Sequence, residues 1–268
     1  MTLLQAFILG VVEGVTEYLP VSSTGHLILA SRVMGLRGDA SKSFDIVIQL
    51  GAILAVAVHY RALLGTRLRG LFSRQPESVR LLVALVVAFL PAAVVGLALH
   101  KVIKALLFGP IPVAGALVVG GVLMIVIERV RRARGTTGLV GVEQVTWKRA
   151  LVVGFGQCFA LWPGASRSMS TIVAGQLAGL STATAADFSF LLGLPTLGAA
   201  TLFDLYKARA ELLNGVGVPA LATGMIVSFL VAWAVVAAFV HYLQRRGLEP
   251  FGYYRIVLGL LVLWVSLS

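Results

Sequence analysis

The chain has 268 residues, 59% hydrophobic and 12% charged, with a mean hydropathy of +0.96. Charged residues make up roughly a quarter of an ordinary soluble domain, so this composition excludes a soluble globular protein, and the long apolar runs exclude a β-barrel. A net charge of +11 could suggest nucleic acid. The basic residues lie in short loops between apolar spans, however, where anionic lipid headgroups are the fitting partner and no nucleic acid is expected.

Met1-Thr-Leu-Leu-Gln-Ala lacks a basic leader, so no cleaved signal peptide is expected. The stretch from Gly10 to His26 then sets two carboxylates, the three consecutive hydroxyls of Ser22, Ser23 and Thr24, and an imidazole inside an apolar run. Glu13 and Glu17 are four apart and share one helix face. Pro20 breaks the helix, and Ser22, Ser23 and Thr24 offer N-caps for a second helix carrying His26. Helix, break and helix fit within about residues 3–33, too few to cross a bilayer twice at ~20 residues per span. A re-entrant hairpin is expected, its polar tip buried in protein or lining a wet cavity. Apolar spans follow at about 44–64, 79–100 and 110–132. A second interrupted segment covers about 149–181, and further spans run near 184–206, 216–243 and 251–268. Cys158 is alone and forms no internal disulfide.

The expected fold is an all-α polytopic membrane protein with about six transmembrane helices and two re-entrant helix-loop-helix hairpins. It forms a single integral membrane domain over 1–268. Basic residues are distributed unevenly, thirteen in the loops of one side (Arg61 to Arg80, Arg129 to Arg149, Arg245 and Arg246). The other side has seven (Arg32, Arg37, Lys42, Lys101, Lys104, Lys207 and Arg209). The positive-inside rule puts the richer side in the cytoplasm and both termini outside.

The two interrupted segments resemble each other. Gly10-Val-Val-Glu13 matches Gly154-Phe-Gly-Gln157, and Pro20-Val-Ser-Ser23 matches Pro163-Gly-Ala-Ser166. Phe44 onward matches Phe188 onward, with offsets of 144, 143 and 144. Three crossings separate the copies, and three is odd. The repeats, about 1–132 and 145–268, are therefore expected to be inverted, with their breaks meeting near the membrane midplane.

In the second break, Gly164 permits close backbone approach and Ser166 or Ser168 can cap the next helix. Helix-start N–H groups, hydroxyls and Arg167 together make an anion site. Arg167 is read as a phosphate clamp, with a structural ion pair to Glu13 or Glu17 as the plainer alternative. Glu13 and Glu17 suit a divalent cation shared with phosphate, or acid/base work. His26, taken to lie beside both carboxylates, is a candidate general acid/base. Asp45, Asp187 and Asp204 are explained as caps, Gln49 and Gln157 as polar glue, Arg255 as snorkelling to the interface, and Gly115 to Gly121 as close helix packing.

Glu-x-x-x-Glu followed by Pro-Val-Ser-Ser-Thr-Gly-His, with a later Pro-Gly-x-Ser-Arg-Ser-x-x-Thr, resembles the undecaprenyl-diphosphate phosphatase (bacitracin-resistance) family of bacteria. The resemblance runs over nearly the whole chain. It implies hydrolysis of the C55 polyprenyl diphosphate to the monophosphate at the bacterial cytoplasmic membrane, recycling the lipid carrier of cell-wall synthesis. A divalent cation, Mg²⁺ or alternatively Ca²⁺, is implied as cofactor. By motif position Glu13, Glu17, Ser23, His26 and Arg167 would be catalytic. Ser22, Thr24, Gly164, Ser166, Ser168 and Thr171 would line the substrate site. Met169-Ser170 stands where the family usually has Gly-Ala. The implied partners are the lipid substrate and membrane lipids, with no obligate protein partner.

Diphosphate hydrolysis needs charge neutralisation, a positioned nucleophile and a leaving group that can depart. Ser23 is the candidate nucleophile, with His26 or a carboxylate as base, and bound water competes for that role. A secondary transporter or lipid flippase fits an inverted repeat too. It has little use for Ser-x-x-His beside paired carboxylates. An intramembrane serine protease is the weakest fit, since Arg167 and two carboxylates suit phosphate better than a peptide carbonyl.

Overall fold

Where the sequence runs apolar the chain is helical, and its helix starts follow local chemistry. A computed structural model describes residues 1–36, 39–107 and 109–267. Arg37, counted above among the basic loop residues, lies outside them, as do the side chains of Lys42, Lys104 and Arg209. The helices are α1 (Leu3–Thr16), α2 (Ser23–Val33), α3 (Asp39–His59), α4 (Arg61–Phe72), α5 (Pro76–Leu107) and α6 (Pro110–Ala133). They continue as α7 (Trp147–Phe159), α8 (Arg167–Leu177), α9 (Thr182–Gly215), α10 (Val218–Leu243) and α11 (Glu249–Leu267). Thr2 and Gln5 close a capping box on α1, satisfying two orphan N–H groups. Proline sits in the first turn of α5, α6 and α10, where it costs no hydrogen bond.

Among the described residues, five helices are long and apolar enough to span a bilayer: Pro76–Leu99, Pro110–Ala133, Thr182–Lys207, Val218–Leu243 and Glu249–Leu267. Ser43–His59 and Arg61–Phe72 make a sixth only as a pair bent by 70°. The straight span expected over 44–64 therefore ends early. Arg61, Arg67 and Arg69 cannot continue into hydrocarbon. The corner is fixed by Tyr60, whose hydroxyl donates to Asp187 Oδ1 at 2.5 Å. Asp187, expected as a cap, is thus a tie between α9 and the corner that joins α3 to α4. In contrast, α1, α2, α7 and α8 have 14, 11, 13 and 11 residues. At 1.5 Å per residue the longest covers about 21 Å, short of a ~30 Å core.

Corresponding helices pack alike. α1 lies on α10, α7 lies on α5, and α6 pairs with α11. Each contact is close enough to require glycine. A Cβ on Gly10 would stand 2.7 Å from Gly224 O, and one on Gly154 would stand 2.8 Å from Ala88 O. Across α6 and α11 the approach is reciprocal: a Cβ on Gly121 would meet Gly252 O at 2.6 Å, and one on Gly252 would meet Gly121 O at 2.8 Å. Small residues let backbones approach where lipid supplies no hydrophobic drive between helices. The expected glue is present, with Thr201 donating to Gln49 Oε1 at 3.0 Å and Gln157 to Ala88 O at 3.5 Å. Leu97, Leu230 and Val257 point outward, as lipid-facing positions do.

Arg255 overturns its expected role. It does not snorkel to the interface; it is fully buried. One guanidinium nitrogen donates to Pro20 O at 3.1 Å, and the other to Ala116 O at 3.1 Å and Gly164 O at 3.0 Å. Breaking two helices inside the protein frees carbonyls that water cannot reach, and the five-donor guanidinium satisfies one from each break, together with Ala116 O inside α6.

Candidate active site

Each break is closed by a serine in the left-handed region. Ser22 has φ 73° and its Oγ accepts from Gly25 N; Ser166 has φ 69° and its Oγ accepts from Met169 N. For a side chain with a Cβ this conformation costs about 1–2 kcal/mol, and the cap offsets part of it. The caps pair Ser22 with Ser166, at the offset of 144. The sequence alignment had instead set Ser23 opposite Ser166, one residue out of step at this point. Gly164, at φ 94°, sits so near α6 that a Cβ would lie 2.5 Å from Val113 O.

The two breaks meet, as expected for loops 20–25 and 163–168. Ser168 Oγ donates to Leu19 O at 2.9 Å and lies 3.0 Å from Ser166 Oγ. Arg255 holds a carbonyl from each break. Met169 is buried, and Ser170 Oγ donates back to Ser166 O at 2.8 Å. The Met169-Ser170 pair is therefore accommodated inside α8 without disturbing the cap.

At the junction stands Glu17, buried at the end of α1. Its Oε2 accepts from Ser23 Oγ at 2.6 Å, and its Oε1 accepts from Arg167 at 3.3 Å. Arg167 also donates to Ser189 O at 2.8 Å, and its guanidinium lies 5.5 Å from the centre of the Tyr18 ring. Its Nε is buried without a partner. Thr171 Oγ1 donates to Arg167 O at 2.8 Å and lies 2.6 Å from Ser189 Oγ. One carboxylate thus links a hydroxyl from the first break to a guanidinium from the second.

Glu13 shares that helix face but not those partners. It is 1% exposed, and neither carboxylate oxygen has a hydrogen-bond partner. It lines a cavity of about 160 Å³ with Ser23, Thr24, Asp45 and Gln49. Asp45, read from the sequence as a cap, lies inside α3 instead, because the helix begins at Asp39. Among the described residues no three His, Cys, Asp or Glu side chains form a cluster able to hold a metal unaided.

His26 is turned elsewhere. Its Nδ1 lies 2.8 Å from Ser22 O, and its Nε2 lies 2.6 Å from the Tyr254 hydroxyl, with the two rings stacked. It lines a second, largely apolar cavity of about 540 Å³ with Val11, Val15, Leu19, Val21, Phe251 and others. The expected place beside both carboxylates gives way to a contact with α11: Ser23 and His26 are neighbours on α2, but the ring is held by Ser22 O and the Tyr254 hydroxyl. Ser189, Tyr18 and Tyr254 were absent from the sequence reading. A lone serine or tyrosine in an apolar span carries no signal until its neighbour is known.

A family model described as "Bacitracin resistance protein BacA" matches residues 6–261. The chain belongs to that family. An undecaprenyl-diphosphatase of Sorangium cellulosum is 62% identical over 262 residues, covering 97% of this chain and 85% of the relative. Undecaprenyl-diphosphatase 2 of Rhodospirillum rubrum is 48% identical, covering 99% and 96%. An undecaprenyl-diphosphatase of Thermoanaerobacter pseudethanolicus is 46% identical, covering 97% and 96%. BacA membership and the apolar helices make this a multi-pass membrane protein.

Proposed function

We propose that the chain is an undecaprenyl-diphosphatase, hydrolysing undecaprenyl diphosphate to undecaprenyl phosphate and inorganic phosphate and so recycling the carrier lipid of cell-wall synthesis. The names of its relatives support the substrate. The observation that carries the chemistry is Glu17, in contact with both Ser23 Oγ and Arg167. A hydroxyl held 2.6 Å from a buried carboxylate is a nucleophile beside its base. Glu17 takes the Ser23 proton, Oγ bonds to the distal phosphorus, and the bond from that phosphorus to the bridging oxygen breaks, releasing undecaprenyl phosphate. The departing undecaprenyl phosphate takes that proton from Glu17; water then attacks the phosphoserine, giving a proton to Glu17, which passes it to Ser23 Oγ as the phosphorus–Oγ bond breaks and inorganic phosphate leaves.

Arg167 stabilises the transferring phosphoryl group, its unpartnered Nε and the first-turn amides of α8 facing the anion. Ser22, Thr24, Gly164, Ser166, Ser168 and Thr171 shape the junction. The apolar cavity beside α1 takes part of the prenyl chain, with His26 and Tyr254 on its wall. A divalent cation, Mg²⁺ or Ca²⁺, is the proposed cofactor. Glu13 fits it, being buried and unpartnered, whereas Glu17 is committed to Ser23 and Arg167. When bound, the ion supplies charge neutralisation for the diphosphate.

The halves are proposed to be inverted, with α1–α2 and α7–α8 re-entrant from opposite sides, in the bacterial cytoplasmic membrane. The reciprocal Gly121–Gly252 approach and the parallel pairing of α1 on α10 and α7 on α5 support this. Both termini then face outward. In a Cys158→Ala background, Ser73→Cys and Thr137→Cys should label only from the cytoplasm and Ala105→Cys only from outside; the opposite pattern overturns the orientation.

The activity is tested by phosphate release from undecaprenyl diphosphate with purified protein in detergent. Ser23→Ala should lose about 10⁴-fold or more, as removal of a nucleophile does. Residual turnover above about a tenth of wild type hands the attack to water. A wild-type protein that moves the lipid but releases no phosphate is a transporter instead.

A further inference from the structure

The proposed reading leaves Glu13 without a protein partner, although it is 1% exposed and both its oxygens are buried. A buried carboxylate without a counter-charge or hydrogen bond is costly. Asp45, from the facing helix α3, brings a second buried and unpartnered oxygen, Oδ1, to the same cavity. Its remaining polar walls are the Ser23 and Thr24 hydroxyls and the Gln49 amide, all able to present oxygen. No lysine, arginine or histidine is among the lining residues, and Arg167 pairs with Glu17 and Ser189 rather than with Glu13. At about 160 Å³ the cavity has room for an ion and several waters, each water taking roughly 30 Å³.

We infer that Glu13 and Asp45, together with oxygens of Gln49 and the Ser23–Thr24 turn, form the protein's divalent-cation site, and that Glu17 is not a ligand. An all-oxygen set with two carboxylates and space for water is what Mg²⁺ and its analogues take, since Mg²⁺ keeps several waters and shares one or two carboxylates with phosphate. The two carboxylates on that face of α1 thereby have separate tasks. Glu17 serves the nucleophile and the clamp, whereas Glu13 with Asp45 holds the metal in the cavity that Ser23 also lines. Asp45 belongs to the stretch before Gln49-Leu-Gly-Ala, outside both motifs read from the sequence.

This deepens the hydrolase reading, and its test is independent of turnover. Mn²⁺ is titrated into the purified, lipid-free protein in detergent and followed by its paramagnetic resonance signal, with the Mn²⁺-dependent rise in unfolding temperature as a second measure. Wild type should bind one ion. Glu13→Gln and Asp45→Asn should each weaken binding at least tenfold, and Glu17→Gln should leave it within threefold. Asp45→Ser replaces Asp45→Asn if the latter does not fold. Loss of Mn²⁺ in Glu17→Gln, retention within threefold in either of the other variants, or no binding by wild type at 10 mM Mn²⁺ would overturn the site. A protein that binds Mn²⁺ as expected but releases no phosphate refutes the hydrolase and keeps the site. One that hydrolyses without binding does the reverse.

Discussion

In the break between α1 and α2 the capping serine is followed by Ser23; in the break between α7 and α8 it is followed by Arg167. At the spacing of 144, Glu13 corresponds to Gln157, Glu17 to Leu161 and His26 to Ser170. The backbone is the same in both, a left-handed serine capping an 11-residue helix. Even the side chains at His26 and Ser170 reach back to the carbonyl of their own capping serine, each at 2.8 Å. The chemistry is divided: the first break carries the acids and the hydroxyl, the second the cation. Had both copies kept carboxylates, the tips would repel in a low-dielectric interior. With the charges divided, Glu17 and Arg167 pair across the breaks, and Ser23 Oγ meets Arg167 on the same carboxylate.

The sharpest way to break this division is Arg167→Lys, which keeps the charge but loses the planar fork. Turnover should fall by about 10²–10³, the usual loss for a preorganised transition-state donor. The protein should remain folded, and near-normal phosphate release would return Arg167 to a purely structural ion pair. Arg255→Met removes the tie common to both breaks. It orphans the two break carbonyls at roughly 1–3 kcal/mol each, offset in part by no longer burying a guanidinium. A net loss of about 2–4 kcal/mol in detergent unfolding is expected from those two opposing terms, and an unchanged midpoint would show the breaks hold without it. Ser22→Ala and Ser166→Ala sharpen the comparison, each costing about 1 kcal/mol as a lost cap; a difference of more than about 1 kcal/mol between them would deny that the two caps are equivalent. The smallest effect belongs to Ser166→Gly. Glycine relieves the left-handed strain of about 1–2 kcal/mol but loses a few tenths as a cap and about 0.5–1 kcal/mol in chain entropy, so unfolding should shift by less than about 1 kcal/mol. A loss above 1 kcal/mol would show that Ser166 Oγ matters through Ser168 rather than through the cap.

What could be read from the sequence was whatever depends on neighbours along the chain. Glu13 and Glu17 on one face, Pro20 ending the first helix and hydroxyls at the helix starts are local facts, and the apolar spans are local as well. The meeting of the breaks followed from the repeat. The direction of a side chain around a helix, and what lies opposite, did not. His26 looked close to the carboxylates because it is close in number. Asp45 looked like a cap because the span was drawn from 44 rather than from Asp39. Arg255 is one arginine six residues into an apolar helix, the usual mark of an interfacial residue. Only the carbonyls of Pro20, Ala116 and Gly164, far away in sequence, give it a different task.

That task has a consequence for the order of events in synthesis. Chains are made from the N-terminus, so the first break enters the membrane long before α11 exists, and the second break precedes it too. Until Arg255 is in place, Pro20 O and Gly164 O lack the donor that joins them. α11, made after both breaks, therefore acts as a latch on a junction whose other parts were made earlier, and a chain stopped before Glu249 would carry Glu13, Glu17, Ser23 and Arg167 without the arginine that ties Pro20 O to Gly164 O.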